Sequence, residues 1–200
     1  FFLALFLAAL AWFILTMHSL NRPHVFTYLF FAIFLERLYA IYLKRSDLRS
    51  NWWLIVVMII WTNMHGGFSV GLTLIGVVFL TAFVRWAINR NTSNGLAARD
   101  LFFMGFFCGC ASLINPYGIG LHLHVLSFLE LECLARWQEF ASPDFFSPSG
   151  NIVVFKFLLF LLLVVFFVAG RSRKLNGLDL VLSLVFIHFA LQSTRHIILF

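Results

Sequence analysis

Charge is what this chain has least of. Lysine and arginine number 14 and aspartate and glutamate 8 in 200 residues, so charged side chains make up 11% of it. A soluble domain carries roughly 25%. So few ionic groups cannot cover a water-facing surface, which excludes a water-soluble enzyme. Proline is scarce too, with 4 residues, so helices can run far without an interior break. Cysteine numbers 3, and Cys108, Cys110 and Cys133 form no Cys-x-x-Cys pair. A secreted disulfide scaffold is excluded, and apolar packing is the expected role of these thiols. The formal charge of +6 and pI near 9.7 would suit nucleic acid in a polar chain. In one this apolar, no nucleic-acid partner is expected.

What fills the chain instead is hydrocarbon and aromatic ring: 62% hydrophobic residues, 27 of them phenylalanine, with a mean hydropathy of +0.97. The apolar stretches are unbroken and do not alternate, which excludes a barrel of membrane strands. At about 20 residues per crossing, seven crossings would use roughly 140 residues. The expected fold is therefore all-α, a polytopic transmembrane helical bundle forming a single domain over 1–200. The spans expected are Phe1–Ser19, His24–Leu43, Trp52–Asn63, Phe68–Ile88, Asp100–Ile114, Asn151–Ala169 and Leu178–Ile198. The third is short, and needs an earlier start, a tilt or local thinning of the bilayer. An external loop, Asn115–Gly150, separates the fifth and sixth, and Gly120–Cys133 within it is apolar enough for an interfacial helix. Breakers agree with these limits: Asn21-Arg22-Pro23, Gly66-Gly67 and Asn115-Pro116-Tyr117-Gly118. The chain opens at Phe1 without methionine and closes at Phe200 inside an apolar run, so a piece of a longer protein is expected.

Sidedness follows from the basic residues. Lys44, Arg45, Arg49, Arg85, Arg90, Arg99, Arg171, Arg173 and Lys174 fall on one side of a seven-span chain, and Arg22, Arg136 and Arg195 on the other. The positive-inside bias places the first group in the cytoplasm and the Asn115–Gly150 loop outside. Trp52, Trp53 and Trp86 near one boundary, with Trp61 and Trp137 near the other, suit interfacial anchoring.

The scarce chemistry sorts by side as well. His18, His24, His65, His122, His124 and His196 fall at external helix ends or in the external loop, with Glu130, Glu132, Glu139 and Asp144. Polar groups beside the apolar region commonly mark a pathway or site, although histidine also tolerates interfaces well. Arg22 and Arg195 either present forked donors to a phosphate or snorkel to headgroups. His65 shares a helical face with Trp61 and stands where the helix is about to break, as a donor to a leaving group or as a cap. His122 and His124, two apart, diverge on a helix, so no metal site is expected from them. Glu36-Arg37 inside the second span suggests an interhelical polar contact. Asp144, in a proline-bracketed turn, and Glu139, in Trp137-Gln138-Glu139-Phe140, are either ligand contacts or local turn and cap acceptors.

Several short motifs occur in order: Arg22-Pro23-His24-Val25-Phe26, Trp61-Thr62-Asn63-Met64-His65-Gly66-Gly67-Phe68, Asn115-Pro116-Tyr117-Gly118, Trp137-Gln138-Glu139-Phe140 with Ser142-Pro143-Asp144-Phe145, and Arg195-His196. Together they resemble a bacterial family of large multi-pass membrane proteins with affinity to the GT-C glycosyltransferases. The resemblance spans nearly the whole chain. It implies transfer of a sugar from a polyprenyl-phosphate donor on the external face of the cytoplasmic membrane, with membrane lipid around it. The implied substrate-binding residues are Arg22, His24, Trp61, Asn63, His65, Arg195 and His196. The acidic catalytic base that the family implies would lie upstream of Phe1, leaving Asp144 and Glu139 as weak stand-ins and the piece alone inactive. A divalent cation bridging the phosphates is compatible with this chemistry, but no cage of ligands for one is visible. The competing classes are a transporter or lipid flippase, for which polar midplane groups and inverted repeats are expected, and a non-catalytic envelope-assembly protein.

Overall fold

The computed structural model describes residues 24–129, 142–146, 150–171 and 176–192. Every regular element among them is helical: α1 (His24–Tyr42), α2 (Trp53–Met64), α3 (Phe68–Asn89), α4 (Thr92–Ala111), α5 (Ile119–Leu129), α6 (Gly150–Arg171) and α7 (Gly177–Gln192), with a 3-10 turn at Arg49–Asn51 before α2. The all-α class is as the composition demanded. Among the described residues, three helices are long and apolar enough to cross a membrane: Val25–Tyr42, Phe68–Asn89 and Ile152–Arg171. The chain divides into two compact units, and α1 to α5 belong to the one spanning Pro23–Glu130.

Within that unit α3 and α4 share the longest contact, and α1 and α2 each pack on both. The seams are legible as spacing. Buried positions fall at Thr27, Phe31, Phe34, Leu38 and Ile41 on α1, at Leu54, Met58 and Trp61 on α2, and at Ala97, Leu101, Met104, Cys108 and Ala111 on α4. Steps of three and four keep one stripe turned to the neighbouring helices. The opposite faces are no less apolar: Leu29, Leu80, Val84 and Phe106 are each more than half exposed. A helix apolar on all sides suits a hydrocarbon solvent rather than water. This supports a membrane location.

Several boundaries differ from the sequence expectation, each for a local reason. The fifth segment begins at Thr92, not Asp100. Arg90 takes a left-handed backbone at the end of α3, and Asn91 caps α4 by accepting from the Ser93 amide at 2.9 Å. Two residues therefore turn the chain between α3 and α4 where a polar loop was expected. Asp100 lies a full two turns inside α4 and is buried. Its carboxylate is satisfied by Arg99 at 2.9 Å and by the Leu48 amide at 3.3 Å. The third segment is no longer than expected: α2 has 12 residues, a rise of about 18 Å, well short of a roughly 30 Å hydrocarbon core. A helix does occupy the described part of the segment expected at the interface: α5, Ile119–Leu129.

The second unit is described only in part. Ile152 and Phe155 of α6 and Ala190 of α7 form its buried cluster, with Leu159 against it. The outer face of α6 carries exposed Phe160, Leu163 and Phe167. The first expected span lies outside the described residues, as does the end of the last one beyond Gln192.

Candidate functional site at the Trp61–His65 helix break

The break between α2 and α3 brings Trp61, Asn63 and His65 of one sequence motif to Thr27, next to a second, and to the Ile114 carbonyl, next to a third. His65 ends α2 in an extended conformation, φ −160° and ψ 146°, with its amide still bonded to the Trp61 carbonyl. Gly67 then opens α3. The Gly67 N–H donates to His65 Nδ1 at 3.0 Å, so that nitrogen carries no proton and the ring is the Nε2–H tautomer. The Thr27 hydroxyl, 3.1 Å from the same nitrogen, must then be its donor. Thr27 Oγ1 in turn accepts from the Trp61 indole N–H at 3.3 Å. The circuit runs from indole to hydroxyl to imidazole, and it joins α1 to both sides of the break.

Close approach makes the circuit possible. A Cβ placed on Gly67 would stand 2.6 Å from Thr27 Cγ2, so only glycine lets α1 come this near. Trp61 is fully buried. Its ring lies across Gly71, where an added Cβ would come within 2.9 Å of Cη2, and it is flanked by Phe30 and Phe34 with centroids 5.6 and 5.5 Å away.

A second set of bonds ties this break to the end of α4. Asn63 donates from Nδ2 to the Ile114 carbonyl at 2.8 Å, as well as back to Ile59. Just beyond, Asn115 builds the following turn: its Nδ2 reaches the Ser112 and Gly118 carbonyls, and its Oδ1 accepts from the Tyr117 amide. Gly118 completes the turn at φ +52°, where a side chain is strained. Ser112 donates to the Gly109 carbonyl at 2.7 Å. The 2.9 Å contact between Ser112 Oγ and His122 Nε2 therefore has histidine as donor. That polarity is wrong for a serine nucleophile served by a histidine base. His122 Nδ1 is left as a buried acceptor without a partner, beside the Phe68 ring at 5.1 Å.

Of the residues singled out from the sequence, Trp61, Asn63 and His65 come together here. His24 opens α1, one helical turn before Thr27. Arg22, Glu139, Arg195 and His196 lie outside the described residues. Asp144 belongs to the second unit and is exposed. Its carboxylate accepts from the Phe146 amide at 2.9 Å, the local turn role that was one of its two readings. Glu36 and Arg37 pair with each other. Thr27, Ser112 and His122 as network members are additions of the structure. Thr27 had a signal, being the one aliphatic hydroxyl in α1. Among the described residues, no three His, Cys, Asp or Glu side chains gather to hold a metal ion.

The arrangement fixes an imidazole at a helix break, with Nδ1 held as an acceptor and the amides of Gly67, Phe68, Ser69 and Val70 each bonded within the break. Compared with protein-family models, with curated proteins and with solved structures, the chain matches none.

Proposed function

We propose that this is a seven-span membrane protein of the glycosyltransferase type, which transfers a sugar from a polyprenyl-phosphate donor at the membrane face carrying the Trp61–His65 break. In this reading that face is external, in the cytoplasmic membrane of a bacterium. The observation that supports it is that one polar motif meets, at a single helix break in an otherwise apolar bundle, residues that neighbour two others. Thr27 stands beside the first motif, Trp61, Asn63 and His65 belong to the second, and Ile114 adjoins the third. Polar groups are costly in such a setting and gather where there is chemistry to serve.

In the reaction, an acceptor hydroxyl attacks the anomeric carbon, its proton passes to a carboxylate, and the bond to the phosphate oxygen breaks. Charge grows on the departing phosphate. In this reading the His65 imidazole meets that charge as a donor, with Arg22, His24, Arg195 and His196 as further cationic or donor partners. Fixed donors of this kind are worth about two to three powers of ten in rate.

The test is His65→Asn. Asparagine Oδ1 can stand in for Nδ1 and keep the Gly67 and Thr27 bonds, but nothing replaces Nε2–H. Membranes carrying the full protein are given labelled polyprenyl-phosphate-linked sugar. The wild type should consume it, and the variant should do so at least about a hundredfold more slowly while keeping its thermal stability. Equal rates would overturn the role of His65. No consumption by the wild type would overturn the transferase reading and favour an envelope-assembly protein, for which a closed hydrogen-bond circuit is enough.

A further inference from the structure

The opposite end of α3 holds a feature that the transferase reading does not use. Between α3 and α4 runs an open groove of about 680 Å³, within the roughly 300–1,000 Å³ of ligand-holding clefts. The rings of Phe79, Phe83, Trp86 and Phe102 line it, together with the side chains of Arg90 and Arg99. From Phe79 to Arg90 the helix rises about 16 Å, close to half of a roughly 30 Å hydrocarbon core. The apolar wall thus runs for about the depth of one leaflet, and two cations line the same groove.

The cationic corner is built with some insistence. Arg90 adopts φ +49° at the end of α3, a position that glycine or asparagine ordinarily fills. Lys44, at φ +61° just after α1, is the other non-glycine residue with a left-handed backbone among the described ones. It ties into the same corner through a 2.8 Å bond to Ser93. Arg90 lies over the Trp86 ring, 5.3 Å from its centroid. Gly95 leaves space for that indole, since a Cβ there would meet its Nε1 at 2.9 Å. Arg99 gives two donors to Asp100, which leaves Arg90 as the larger share of uncompensated charge. Basic pockets between membrane helices suit phosphate headgroups, and a guanidinium can grip such a group with two donors.

We propose that this groove seats an anionic phospholipid of the surrounding bilayer, one acyl chain along the phenylalanine wall and the phosphate at Arg90 and Arg99. The proposal rests on the membrane location of α3 and is independent of any transfer reaction.

The experiment uses the full protein in phosphatidylcholine vesicles containing either brominated phosphatidylglycerol or brominated phosphatidylcholine at equal amounts. Bromine quenches nearby tryptophan, and the part due to Trp86 is the difference from a Trp86→Phe variant. Quenching of Trp86 by the anionic lipid should exceed that by the zwitterionic one severalfold. Arg90→Gly, which suits the left-handed backbone and should fold at least as well, should bring the ratio close to one. Arg90→Lys should keep most of the preference. A wild-type ratio near one, or a preference unchanged in Arg90→Gly, would overturn the proposal. Should Arg90→Gly fail to fold, Arg90→Gln applies the same criterion.

Discussion

Replacing Thr27 with valine tests the hydrogen-bond circuit directly, because the two side chains have nearly the same shape. The substitution removes the acceptor of the Trp61 indole N–H, 3.3 Å away, while His65 Nδ1 keeps the Gly67 amide at 3.0 Å. Trp61 is fully buried, so neither water nor a headgroup can replace the lost partner. An orphaned buried donor costs about 1–3 kcal/mol. Interhelical hydrogen bonds within membranes average only about 0.6 kcal/mol, with a maximum near 1.7. The expected loss for Thr27→Val is therefore about 1–2 kcal/mol, or roughly tenfold in the unfolding equilibrium. Thr27→Ser is the matched control: it keeps the hydroxyl, loses one methyl group, and should cost about 0.8 kcal/mol or less. Equilibrium unfolding in mixed micelles, followed by circular dichroism, measures both. A valine variant as stable as the serine variant, or more so, would refute the circuit as a source of stability.

Other outcomes follow from the same contacts. Gly71→Ala should destabilise the bundle by about 1–3 kcal/mol through collision with Trp61, whereas Gly76→Ala, with nothing within 4 Å of its added Cβ, should be neutral or stabilising by up to about 1 kcal/mol; thermal unfolding in detergent distinguishes them. At the turn before α2, hydrogen bonds from Ser50 hold the Asp47 carboxyl below its ordinary value of 3.8. Because the folded value is the lower one, the carboxyl's contribution to that turn is complete above about pH 3.8 and is lost as pH falls through the folded value. Amide exchange at Ser50, corrected for its intrinsic pH dependence, should show this loss, and Asp47→Asn should abolish the acid-sensitive part. In a cysteine-free background, an impermeant maleimide added to intact cells should label Ser127→Cys and spare Asp47→Cys; the reverse pattern would invert the proposed topology.

The sequence was most readable where one physical signal acted alone. The second expected span is helical through Tyr42, and α3 runs one residue beyond the expected Ile88. The start of α4 was not readable, because Asn91, Ser93, Asn94, Arg99 and Asp100 look like a solvated loop. Their helix has tertiary partners: besides Arg99, buried Asp100 is met by the Leu48 amide, 52 residues away in sequence. Periodicity does not report such a partner. At the candidate site, Trp61, Asn63 and His65 stood out because polar groups at the end of an apolar run are conspicuous. The pairing of His122 with Ser112 did not, since their meeting depends on how the chain folds back after Gly118. Asp144 drew notice for its proline-rich surroundings, yet its bond to Phe146 is of the kind any short turn makes.

The two ends of α3 differ in a way that bears on how the chain is held in a membrane. At the Gly67 end, orphan amides are met by neutral groups: Gly67 by an imidazole nitrogen, and Ser69 and Val70 by the carbonyls of the break itself. At the Asn89 end, the helix closes on a cation whose amide bonds to the Trp86 carbonyl at 2.7 Å. A positive side chain is favoured at a helix C-terminus by the macrodipole, but that preference does not require a left-handed arginine where glycine would do. The same choice at Lys44, after α1, puts a second left-handed cation in the same corner of the bundle. Backbone strain accepted at two cations, and at no other non-glycine residue among those described, argues that charge at this end is worth more to the protein than an unstrained turn. A neutral, closed network at one end and an exposed, strained cationic corner at the other is the polarity expected of a helix pair whose ends meet different surroundings.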